Sequence, residues 1–179
     1  MHASVYLLAL FSILTASFIE FIIIMSLIMI HELGHYTSAK LLKEEVKNIM
    51  IYPFGGITKI NMEINESFKK EFLILIMGPI FQIIGCFLLI GILPQKKEMI
   101  IIYHNGILLF NLLPIYPLDG GKLLKLGLDY LFPYKKSFKS IIRISYSVAI
   151  MLFIAKSINI NVIYTIIFLV FLIRKEQKK

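Results

Sequence analysis

Apolar residues run along this chain in long blocks, and the charged residues between them separate six. They are Ala3–Ile19, Phe21–Leu42, Phe72–Leu93, Met99–Leu113, Ile141–Ala155 and Asn161–Ile173. A helix needs about 20 apolar residues to cross a hydrocarbon core about 30 Å thick, and the blocks approach that length. The pattern predicts an all-α polytopic membrane protein with about six transmembrane helices. Little more than Glu20 separates the first two, which implies a tight helical hairpin.

The texture changes between the second and third blocks. Val46–Tyr52 and Ile57–Ile64 are rich in β-prone residues, and the second stretch alternates apolar with polar. Pro53-Phe54-Gly55-Gly56 supplies turn chemistry between them, so this segment reads as a β-hairpin. A lone two-stranded hairpin is marginal in water, so it is expected to pack on the membrane domain or partly enter it. No internal repeat or linker interrupts the chain, and residues 1–179 read as one domain.

Composition sharpens this picture. The chain is 58% hydrophobic and 17% charged, with a mean hydropathy of +0.82, whereas soluble domains average roughly 45–50% apolar and about 25% charged. The net charge of +8 could suggest nucleic acid, but the basic residues lie in short gaps between apolar blocks rather than on one patch. That placement excludes a nucleic-acid partner and suits a lipid bilayer. With the N-terminus inside, 16 of the 19 basic residues fall in inner loops and the tail; only Lys96, Lys97 and Lys156 fall outside. The asymmetry obeys the positive-inside rule and predicts that both termini are cytoplasmic. No Lys or Arg precedes the first block, so a retained span is expected rather than a cleaved signal peptide. Cys86 is the single cysteine, which rules out an intrachain disulfide.

Of eleven acidic residues, nine lie in loops, at block ends or in the tail; Glu32 lies deep in the second block, and Asp119 closely follows the fourth. An ionised side chain at the bilayer centre costs at least about 2.5–3.5 kcal/mol, so such a residue needs a partner or a metal. Glu32 belongs to His31-Glu32-Leu33-Gly34-His35. Positions i and i+4 share a helix face, so both imidazoles can reach one zinc while Glu32 stands beside them as a base. A catalytic zinc takes three protein ligands and keeps one position open. His2 is terminal, Glu20 lies more than two turns before His31, and His104 reads better as a packed, hydrogen-bonded histidine. Asp119 is the better third ligand. It follows Asn111-Leu112-Leu113-Pro114-Ile115-Tyr116-Pro117-Leu118 and precedes Gly120-Gly121, where prolines and glycines break the helix. The plainer role for Asp119 is an N-cap for a helix over Lys122–Phe132. Asn111, just ahead of Pro114, could donate to a substrate carbonyl or oxyanion, or simply link helices.

These two motifs together resemble the site-2 proteases (family M50), intramembrane zinc metalloproteases. Tyr52-Pro53-Phe54-Gly55-Gly56, Lys70-Glu71-Phe72, Gly78-Pro79 and Asn111–Lys122 are similar to the bacterial stage IV sporulation protease branch. The resemblance implies one zinc held by His31, His35 and Asp119, with Glu32 as catalytic base. It also implies substrate contacts at Asn111, Pro114, Phe54 and Gly55, the last two in a membrane-reentrant turn. The implied substrate is a membrane-tethered protein cut in or near the bilayer, in this branch a sporulation pro-sigma factor, under control of membrane regulatory proteins. The implied location is the bacterial inner membrane, in this branch the mother-cell forespore membrane. The chain stops at Lys179 just after the sixth block, so no C-terminal CBS domain is expected. Two rivals stand beside this reading. One is a membrane metallopeptidase of different specificity, which would draw its third ligand from a later intramembrane Glu. The other is a catalytically silent scaffold or transporter with a structural metal.

Overall fold

The computed structural model describes residues 3–52, 55–61 and 68–155. The chain divides into two compact units, Met1–Leu109 and Phe110–Lys179. The sixth apolar block, Asn161–Ile173, and the Pro53-Phe54 turn lie outside the described residues.

The first unit opens with helix α1 (Ala3–Leu14) and helix α2 (Phe18–Leu41). The first apolar block therefore breaks earlier than its hydropathy implies, at Thr15-Ala16-Ser17 rather than at Glu20. Ala16 takes a left-handed φ of 56°, and the Ser17 amide donates to the Ser12 carbonyl at 2.8 Å. This backbone cap ends α1. Glu20 falls instead in the first turn of α2, where an acid suits the positive end of the helix dipole. The same cap recurs at the far end of α2. Lys43 has a φ of 61°, and the Glu44 amide donates to the Ala39 carbonyl at 2.9 Å.

Strands β1 (Glu45–Tyr52) and β2 (Gly55–Asn61) pair antiparallel, with a register shift between Val46 and Asn48. Both lie against α2. Helix α3 (Phe68–Ile92) then packs along α2. Its start is tied back by Lys70, which donates to Glu44 at 2.8 Å. After a 3₁₀ turn at Pro94–Lys96 comes α4 (Lys97–Asn111).

In this unit polar groups are inside and apolar ones outside. Ile23, Leu27, Cys86 and Ile100 form a core cluster, yet His31, Glu32, His35, Gln82 and His104 are buried as well. Meanwhile Ile22, Met29, Leu33, Leu73, Ile84, Phe87, Leu88 and Ile102 are exposed. Water would not tolerate that outer belt, whereas lipid tails are its natural solvent. Helices α2 and α3 are both long and apolar enough to cross a membrane.

In the second unit, Pro114 cannot continue α4 and disfavours helix in the residue before it, so α4 stops at Asn111 rather than at Leu113. Helix α5 (Asp119–Leu131) follows the loop, and α6 covers Tyr134–Ala155. The fifth apolar block is thus the C-terminal part of a longer helix. Ile115, Leu118, Ile141 and Ile142 form the core here. Tyr116 meets Phe138 edge-on, with ring centroids 5.8 Å apart. The Tyr116 amide donates to Ser145 Oγ at 2.8 Å, and that hydroxyl donates to the Ile141 carbonyl at 2.7 Å. A side chain of α6 therefore holds the loop that leads into Asp119.

Candidate metal centre

His31 and His35 stand one turn apart on α2, both about 95% buried or more. Their rings meet edge to face, with centroids 4.8 Å apart and the two Nε2 atoms 3.1 Å apart. Each ring's other nitrogen is engaged by α3. His35 Nδ1 lies 2.8 Å from the Ile74 carbonyl oxygen, which can only accept, so His35 Nδ1 carries the proton. His31 Nδ1 lies 3.0 Å from Gln82 Oε1. Both rings are thereby turned so that their Nε2 atoms address one spot. Imidazole ligands held through the opposite nitrogen in this way are the usual arrangement around zinc.

Two features of α3 make room for that spot. Pro79 lacks an amide hydrogen, so the ladder bond that residue 79 would make to the Leu75 carbonyl is missing. Gly78 leaves open space beside the histidines. A Cβ there would overlap His35 Nε2 and Cε1 and stand 3.0 Å from His31 Nε2. Two convergent nitrogens over a glycine-floored cradle fit a divalent metal. Glu32, between the histidines in sequence, is buried with them.

Asp119, in the second unit, is about 95% buried. It is the first helical residue of α5, and the N-cap position belongs to Leu118, which makes no side-chain capping bond. The N-cap role open to Asp119 on sequence is therefore not the one it takes. Lys122 Nζ lies 3.6 Å from its carboxylate. Gly120 is required beside it, because a Cβ would run into the Leu112 carbonyl. Asn111, the last residue of α4, is buried, and Pro114 is partly so. Gly55 begins β2, and Phe54 lies outside the described residues.

His104 is a hydrogen-bonded histidine, as expected. Its backbone carbonyl and Nδ1 lie 3.0 and 3.3 Å from Gln82 Nε2. Sequence reasoning missed Gln82 and Ser145, and it noted Gly78-Pro79 only within the family resemblance, with no role for the glycine. The interrupted turn at Gly78-Pro79 was the one available signal for α3.

The comparisons agree with this chemistry. The model named Peptidase family M50 matches residues 19–100. Stage IV sporulation protein FB of Bacillus subtilis is 32% identical over 142 residues, covering 76% of this chain and 49% of that protein. A zinc metalloprotease of Methanocaldococcus jannaschii is 30% identical over 172 residues, covering 88% of this chain and 48% of that protein. The chain thus spans about half the length of the curated relatives it matches. Among solved structures, the site-2 protease from Methanocaldococcus jannaschii shares the fold, with a TM-score of 0.76 at 24% identity. That match covers 96% of this chain and 83% of the other. The histidine pair and its α3 partners thus lie inside a Peptidase family M50 domain, residues 19–100.

Proposed function

We propose that this protein is an intramembrane zinc endopeptidase. One zinc would be held by His31, His35 and Asp119, which are all buried and can each offer one ligand atom. The observation that carries the reading is the histidine pair, whose Nε2 atoms converge at 3.1 Å while the opposite nitrogens are engaged by α3. Zinc, when bound, polarises the scissile carbonyl and lowers the pKa of water towards about 7. Glu32 is the general base. It accepts the proton of the attacking water and returns it to the departing amide nitrogen. Asn111 would donate to the carbonyl oxygen as negative charge builds there. The edges of β1 and β2 offer backbone groups with which an unwound substrate segment could pair.

The proposed substrate is a membrane-associated protein, of the pro-sigma-factor kind that the sporulation relative suggests, with membrane regulators as further partners. In the proposed topology six spans cross the bacterial inner membrane, both termini are cytoplasmic, and the paired strands associate with the membrane.

Co-expression with membrane-tethered pro-proteins tests the reading. Glu32→Gln should keep stoichiometric zinc and lose cleavage by about 10²–10⁴-fold, the range for a general base. Asp119→Asn should lose zinc and cleavage together. Cleavage by Glu32→Gln at the wild-type rate, or wild-type zinc affinity in Asp119→Asn, would overturn the assigned roles.

A further inference from the structure

Gln82 is fully buried in α3, a helix whose other buried side chains, Ile74, Leu75, Pro79 and Cys86, are apolar. All of its hydrogen-bonding atoms are used. The His104 carbonyl can only accept, so the group facing it at 3.0 Å must be the amide NH₂. The second amide hydrogen then reaches His104 Nδ1 at 3.3 Å. This fixes the flip of the amide and leaves Oε1 pointing at His31 Nδ1, 3.0 Å away. An amide oxygen only accepts, so His31 must carry a proton on Nδ1, which leaves Nε2 as the nitrogen that faces His35 and could bind a metal. Three residues on three helices thus form one directed chain, from the α4 backbone through Gln82 to His31.

We propose that Gln82 is a positioning residue that selects the His31 tautomer able to bind zinc, with the backbone of α4 setting its orientation. The inference rests on the zinc reading above. It assigns His35 and His31 different supports. His35 leans on a backbone carbonyl that no substitution removes, whereas His31 depends on a side chain.

Zinc affinity of the purified, micelle-solubilised protein, measured by competition with a chromophoric chelator, tests it alongside thermal unfolding. Gln82→Leu removes the acceptor and should weaken zinc binding about 10–100-fold, the usual effect of losing a partner behind a metal ligand. Gln82→Glu restores an acceptor for Nδ1–H, so it should bind zinc at wild-type affinity even though its contact with the His104 carbonyl is lost and its melting temperature falls. A role as helix-to-helix glue predicts the opposite split, with both variants melting early and both binding zinc normally; that result overturns the proposal. In metal-free protein labelled with ¹⁵N-histidine, His31 should appear as the Nδ1–H tautomer in the wild type and lose that preference in Gln82→Leu. If Gln82→Leu does not fold, the wild-type tautomer and Gln82→Glu decide together, and either His31 with its proton on Nε2 alone or loss of zinc in Gln82→Glu overturns the proposal. Wild-type protein that binds no zinc refutes the protease reading itself. Wild-type binding matched by Gln82→Leu refutes only the role of Gln82.

Discussion

Gly78 is defined by what it lacks. Its Cα sits against both histidine rings, and even a methyl group would overlap His35 Nε2. The neighbouring atoms are ring atoms pinned through His35 Nδ1 to the Ile74 carbonyl and through His31 Nδ1 to Gln82. They cannot move aside without giving up those bonds. Gly78→Ala should therefore displace a metal ligand before it disturbs the helices. Zinc affinity is expected to fall on the order of 10–100-fold, like other changes that misplace a ligand's support, while helical circular dichroism stays near wild type. Normal zinc binding in Gly78→Ala would mean that the cradle is not where the metal sits.

At the scale of elements, Ser145 links α6 to the loop before α5. Its hydroxyl accepts from the Tyr116 amide and passes its own hydrogen to the Ile141 carbonyl. Removing the hydroxyl leaves a part-buried amide without its acceptor, at a cost of about 1–3 kcal/mol. Ser145→Ala should lower the unfolding midpoint accordingly, and an unchanged melt would show that the loop is held by its apolar contacts alone. Such links set how far the sequence could be read. His31, Glu32 and His35 were legible because lipid cannot solvate three titratable groups within one helical turn, so their i, i+4 spacing points to a shared metal. Asp119 could be singled out because it follows the fourth block among prolines and glycines that break the helix. Helix ends were less legible. The break at Ala16 depends on a left-handed backbone turn, which small residues permit but do not announce. Nor could Gln82 or Ser145 be assigned partners from sequence. Gln82 binds the carbonyl of His104, 22 residues away, and Ser145 binds the amide of Tyr116, 29 residues away. Backbone groups carry no sequence signature at all. The Ile74 carbonyl, which orients His35, was in that sense invisible.

For the molecule as a whole, the decisive question is which side of the bilayer each helix end meets. Helix α3 offers the cleanest test. It has 25 residues, about 37 Å at a rise of 1.5 Å per residue, enough to cross the hydrocarbon core. Lys69 lies in its first turn and Lys97 opens α4 just beyond its end, and both side chains are exposed. Lysine is costly inside lipid, so the two should mark opposite surfaces, with Lys69 inside by the excess of basic residues there. The lone native cysteine, Cys86, is buried and can be replaced by Ala to clear the background. In that variant, a cysteine placed by Lys97→Cys should react with an impermeant maleimide on right-side-out vesicles. One placed by Lys69→Cys should react only after the vesicles are opened. The reverse pattern would invert the orientation while leaving α3 as a span. Labelling of both from one side would remove α3 from the membrane, and with it the reason that His31, Glu32 and His35 on the neighbouring α2 are sheltered from water.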